Sequence, residues 1–128
     1  MAPVFAQKSI TDSLAVLLAR EKTDSNRVTL LWNMANACNI YNPDSALLLS
    51  QQSITLAKKI HFNKGESRAL GSMANAFVKI GNYPRALDVY LQKLKIDETK
   101  NDPRNLASVN MNIGIVYTLQ EEYRKALS

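Results

Sequence analysis

Apolar residues recur at helical spacing along most of the chain. Met73, Ala74, Phe77 and Ile80 fall at i, i+1, i+4 and i+7, while Ala86, Leu87, Tyr90, Leu91 and Leu94 fall at i, i+1, i+4, i+5 and i+8. Each set draws one apolar stripe, so residues 73–96, MANAFVKIGNYPRALDVYLQKLKI, predict two amphipathic helices. Gly81 and Asn82 suit the left-handed residue that ends a helix. Pro84 suits the first turn of the next, where its missing N–H is not needed. So short a turn sets the two stripes face to face as an antiparallel pair.

The same pattern returns on either side. Downstream, Gly114, Tyr117, Tyr123, Ala126 and Leu127 repeat Ala74, Phe77, Tyr83, Ala86 and Leu87, each pair 40 residues apart (126 − 86 = 40). Upstream, Met34, Ala35 and Cys38 match Met73, Ala74 and Phe77 at an offset of 39 (74 − 35 = 39), and Ala46 matches Ala86 at 40 (86 − 46 = 40). The first copy is one residue shorter across its inner turn, 11 positions from Ala35 to Ala46 (46 − 35 = 11) against 12 from Ala74 to Ala86 (86 − 74 = 12). Self-similarity at such a period predicts a helical solenoid.

In chain order, Thr11 or Asp12 caps a short helix over 11–21, whose Leu14, Leu17 and Leu18 form a small apolar face. This helix is expected to cap the first repeat. Repeat one spans 25–60: Asp24 or Ser25 opens a helix carrying Leu30, Leu31, Met34, Cys38 and Tyr41. Asn42 and Pro43 then cap and start a second helix, which runs to about Ile60. Repeat two spans 64–97, and a partial repeat three spans 103–128, opened by Asp102 as cap and Pro103. HFNKGES and ETKNDPR read as polar links between the repeats. The chain stops inside the expected second helix of the third copy, which predicts a fragment of a longer protein. It also predicts Ile113, Val116 and Tyr117 partly uncovered, with self-association through that exposed repeat.

These residues resemble the tetratricopeptide repeat family. Leu70, Met73, Ala74, Phe77, Ala86 and Tyr90 fill six places of the family pattern, and Ile113, Gly114, Tyr117 and Ala126 fill matching ones in the third copy. Lys93 departs from it, standing where the family has its last small residue. The resemblance implies an all-α, right-handed superhelical solenoid of antiparallel helix pairs, with a short N-terminal capping helix and a truncated last repeat. The family period is about 34 residues, so the longer spacing here implies longer helices or longer links. The long-period variant is similar to the N-terminal sensory regions of bacterial membrane-bound histidine kinases and related regulators. Val4 and Ala6 before Gln7 read either as part of a disordered tail or as the remnant of a secretion signal. With the resemblance, they slightly favour an extracytoplasmic domain, with the cytoplasm as the alternative.

Composition narrows the chemistry. The 128 residues, 46% hydrophobic, suit one domain with a core. The formal charge of +5 is spread along the chain with no interleaved aromatic platform, so no nucleic-acid partner is expected. Nor is direct membrane insertion expected. Cys38, the single cysteine, falls where Phe77 and Tyr117 fall and reads as a small core residue. His61 is the single histidine and lies in a predicted link, which leaves no partner for a serine or cysteine nucleophile. Glu121 and Glu122 point apart on a helix, and the four glycines are scattered. No metal, cofactor or enzymatic activity is therefore expected of this chain.

The remaining candidate is the surface that stacked helix pairs create. By the family resemblance, the first helix of each pair lines a groove. The candidate peptide-binding residues there are Trp32, Asn33, Asn36 and Asn39 in copy one, Arg68, Asn75 and Lys79 in copy two, and Met111 and Asn112 in copy three. Asparagine amides donate and accept, which suits an extended peptide backbone, and Trp32 offers an aromatic anchor. The carboxylate clamp of chaperone-binding relatives is not expected. Trp32 occupies its lysine place, and Ser108 and Asn112 stand where basic residues belong.

Overall fold

A computed structural model of the protein describes residues 16–20 and 22–128. Five long helices follow one another: α1 (Asp24–Asn39), α2 (Pro43–Lys59), α3 (Asn63–Ile80), α4 (Tyr83–Lys100) and α5 (Pro103–Leu127). There is no strand among the described residues, and each helix packs on the next, with α1 also packing on α3. The architecture is an all-α, tetratricopeptide-like solenoid of antiparallel pairs. Residues 16–20 are helical and are tied to α1 by a 3.1 Å hydrogen bond from the Arg27 guanidinium to the Leu18 carbonyl. The expected cap residues Thr11 and Asp12, Leu14 of the capping helix, and the tail or signal remnant lie outside the described residues.

Local chemistry sets the helix ends. Asn42 accepts a hydrogen bond from the Ser45 amide at 3.1 Å, Asn82 from Arg85 at 3.4 Å and Asp102 from Arg104 at 3.0 Å. A proline sits in the first two positions of each of those helices. Gly81 closes α3 in the left-handed conformation at φ 90°, and the Asn82 amide reaches back to the Phe77 carbonyl at 2.9 Å. His61 and Asn101 take the same conformation at φ 56° and 50° in the turns after α2 and α4. Those turns are only residues 60–62 and 101–102, so most of HFNKGES and ETKNDPR is helix rather than link. The 40-residue period therefore comes from longer helices: α1 to α4 have 16, 17, 18 and 18 residues. The polar letters at the start of α3 misled because Gly65 and Ser67 are buried there, chosen for close approach rather than for solvent.

The main core lies between α3 and α4, where Leu70, Met73 and Ala74 meet Ala86, Leu87 and Tyr90, and is extended by Ile54 of α2 and by Val109 and Val116 of α5. Burying a side chain such as Leu70 contributes roughly 1.5–3 kcal/mol. Ala35, Cys38, Ala46 and Ala76 form a smaller core where α1, α2 and α3 meet. Small side chains let those three backbones approach, and Cys38 is one of them. Ser53 is buried yet satisfied, its hydroxyl donating to the Val28 carbonyl of α1 at 2.8 Å. Several stripe residues sit outside this core: Tyr41, Ile80 and Leu91 are all more than two-fifths exposed.

The third copy departs from expectation. No turn interrupts it, and α5 runs unbroken for 25 residues to Leu127. The second copy has Gly-Asn-Tyr-Pro at 81–84, whereas the matching stretch is Glu-Glu-Tyr-Arg at 121–124, with neither a left-handed residue nor a proline to break the helix. Gly114 consequently has no atom within 4 Å of a Cβ added to it, so it does not make the close helix contact its match with Ala74 predicts. Tyr117 and Ile115 are about half exposed, while Val116 is buried, contrary to its expected uncovering.

Candidate functional site

Helices α1, α3 and α5 share one face, and between them lies a cavity of about 170 Å³. Trp32 and Asn36 reach it from α1, Arg68, Ser72 and Asn75 from α3, and Asn105 and Ser108 from α5. The spacing on each helix is three or four residues, which is why they share a face. Trp32 is half-buried against the main core, so one side of the indole packs while the other borders the cavity. Its carbonyl accepts a 3.4 Å hydrogen bond from Ser72, which joins α1 to α3 at this point.

Asn75 is held from behind. The Tyr90 hydroxyl donates to its Oδ1, leaving the Asn75 Nδ2 hydrogens to donate into the cavity. Burial raises the Tyr90 phenol from its usual 10.0 to about 12, so the hydroxyl keeps its proton throughout the neutral range.

The floor of the cavity holds the residue that departs from the family pattern. The Lys93 stem lies beside Gly71, whose added Cβ would meet its Cε at 3.6 Å. The ammonium group donates to Ser67 Oγ at 2.8 Å and to the Ser67 carbonyl at 3.3 Å. It also stands 3.2 Å from Asp97 Oδ2, while Ser67 Oγ donates to Asp97 Oδ1 at 2.6 Å. A glycine on the facing helix and a buried acid one turn along thus accommodate a lysine where a small residue is expected.

Of the nine candidate groove residues, the cavity gathers Trp32, Asn36, Arg68 and Asn75. Asn33 is exposed and bonds back to the Thr29 carbonyl at 2.8 Å, and Asn39 is half-buried with its Oδ1 enclosed. Lys79 is exposed in the last turn of α3, and Met111 and Asn112 lie further along α5 than the cavity reaches. The α5 contribution comes instead from Asn105 and Ser108, because α5 packs chiefly on α4 and is buried only at Val109 and Val116. Asn105 was readable as the position one turn before Ser108 once Pro103 opens the helix. Lys93 carried a signal too, as the one break in the small-residue pattern.

No helix among the described residues is long and apolar enough to cross a membrane. Among them, no group of three or more His, Cys, Asp or Glu side chains is placed to hold a metal.

A response regulator aspartate phosphatase, the I protein of Bacillus subtilis strain 168, is 35% identical over 71 residues, covering 51% of this chain and 18% of the relative. The chain thus spans under a fifth of that relative's length. Residues 69–104, which include most of α3, all of α4 and the Lys93 position, match the model of the tetratricopeptide repeat family.

Proposed function

We propose that the chain is a non-catalytic module that binds an extended protein or peptide segment along the face of α1, α3 and α5. The observation that carries this reading is the convergence of Trp32, Asn36, Arg68, Asn75 and Ser108 on one cavity from three helices. Amide and hydroxyl groups at successive turns match the alternating donors and acceptors of a peptide backbone, and the indole supplies an apolar anchor. His61, the single histidine, is exposed in the turn after α2 and does not line the cavity, which supports binding without acyl-transfer chemistry. Likeness to a response regulator aspartate phosphatase supports a setting in bacterial signal transduction. In that setting the module is the sensory or interaction region of a larger signalling protein, and an occupied groove shifts the packing of the stack.

Trp32 is the single tryptophan, so its emission reports on the groove. End-blocked hexapeptides selected from a random array are expected to shift that emission, and Asn75→Ala is expected to weaken their binding about tenfold, the cost of one lost hydrogen bond to a buried partner. Binding undiminished by both Asn75→Ala and Arg68→Ala would overturn the reading.

A second reading, dimerisation through α5, is favoured by Met111, Ile115, Tyr117, Tyr123 and Leu127, all about half exposed or more on that one helix. Sedimentation velocity over a concentration series tests it, a monomer at every concentration being the result against it.

A further inference from the structure

Arg68 and Asn105 border a second cavity as well as the first. This one, of about 250 Å³, lies toward the start of α3, between that helix, the end of α4 and the start of α5. Lys64, Arg68 and Lys100 stand around it, all exposed. Two carboxylates share the lining, and both are already engaged. Asp97, 1% exposed, is held by Ser67 and Lys93, and Asp102 Oδ1 accepts from the Arg104 amide as the cap of α5. Among the described residues, none of the three cations forms an ion pair.

The two cavities are consecutive along one stripe of α3. Lys64, Arg68, Ser72 and Asn75 succeed one another at steps of four, four and three residues. At 1.5 Å per residue the stripe is about 16 Å long, which an extended chain covers with about five residues. One end offers amides and an indole, and the other offers three cations outside any ion pair, with Asp102 the one lining carboxylate left beside them once Lys93 has taken Asp97.

Resting on the peptide reading above, we infer that the ligand carries an internal acidic side chain, Asp or Glu, seated among Lys64, Arg68 and Lys100. Its backbone runs from there toward Asn36 and Asn75. End-blocking the test peptides removes the terminal carboxylate, so any preference they show comes from the acidic side chain. The amide end favours a peptide over a nucleic acid. A phosphate backbone would need positive charge along the whole stripe, and bases would need stacking faces, whereas Trp32 is half-buried. Exposed cation–carboxylate pairs are individually weak and screened by salt, so three acting together give a preference of about tenfold.

The test uses the whole chain and arrays of end-blocked hexapeptides with Glu, Gln or Lys fixed at the third position and the rest randomised. The Glu set is expected to bind about tenfold more tightly than the Gln set, and the Lys set most weakly. High salt should collapse the difference. The exposed double variant Lys64→Gln/Lys100→Gln, checked by circular dichroism for an unchanged fold, should cut the Glu-over-Gln preference to about twofold, the share left to Arg68. Equal binding of those sets by the native chain, with both weakened about tenfold in Asn75→Ala, would sink the acidic seat and leave the peptide reading standing. No binding of any set would sink both. A twelve-residue oligothymidylate binding through Lys64 and Lys100 while the Glu set did not would overturn the proposal in favour of a phosphate backbone.

Discussion

Lys93 and Asp97, one turn apart on α4, form an ion pair at 3.2 Å beneath the groove, with side chains only 14% and 2% exposed. Asp97 Oδ2 is held there by charge rather than by an aligned hydrogen bond, while Oδ1 takes the Ser67 hydroxyl. The two members differ in their access to water. Lys93 also borders the open cavity, whereas Asp97 is 1% exposed.

That asymmetry sets the first prediction. Lys93→Ala strands a buried carboxylate and is expected to cost about 3–5 kcal/mol, while Asp97→Ala leaves an ammonium that can reach the cavity and costs less. The double replacement restores a small residue at 93 with no charge to strand, so its cost should fall well below the sum. Urea unfolding of the four proteins checks this, and additive losses would refute the coupling.

Two glycines should respond in opposite senses. A Cβ on Gly65 would stand 2.6 Å from Phe62 Cδ2 and 2.7 Å from Val28 Cγ1, so Gly65→Ala is expected to cost about 1–3 kcal/mol by pushing α3 off α1. At Gly114 nothing lies within 4 Å, and Gly114→Ala should stabilise the α5 interior by roughly 0.5–1 kcal/mol. Thermal melts of both variants give the signs directly.

Tyr90 makes stability depend on alkaline pH. Its phenol is raised from 10.0 to about 12 in the fold, so the unfolded chain releases this proton first. The contribution is complete below pH 10 and is lost as pH rises toward 12. Tyr90→Phe should therefore cost about 1 kcal/mol near neutrality, through the lost bond to Asn75, and that deficit should shrink between pH 10 and 12. A deficit that stays constant over that window in urea titrations would contradict the assignment.

Tyr83 and Tyr123 meet edge to face with ring centroids 6.3 Å apart, joining the start of α4 to the far half of α5. Past Val116 that half has no buried residue, so the ring contact is expected to anchor it. Tyr123→Ala should cost about 0.5–1.5 kcal/mol and speed amide exchange selectively after residue 117, as read by hydrogen-exchange mass spectrometry.

How much of this was legible varies by residue. Asn42 and Asp102 were readable as caps because a cap is a contact with the chain's own backbone two or three residues on, whereas Asn82, expected in the left-handed conformation, takes φ −88° and caps α4 instead. Gly81 was readable for the same local reason. Gly65 and Ser67 resemble link residues in the sequence because composition separates polar from apolar but not exposed from closely packed, and small polar residues serve both. Lys64 and Lys100 fall in the same polar stretches of sequence, and only the packing of the start of α3 on the end of α4 brings them to one cavity.

The sequence by itself determined the helices, their caps, their antiparallel pairing and the repeat that stacks them, since each follows from periodicity and from bonds made within a few residues. Only the tertiary structure decided which face residues converge and how Lys93 is accommodated. Those outcomes depend on contacts across the chain: Lys93 needs Ser67 26 positions away. A helix folds back where a turn ends it, through a left-handed residue as at Gly81 or a cap and proline as at Asn42 and Pro43, and where a partner stripe receives it.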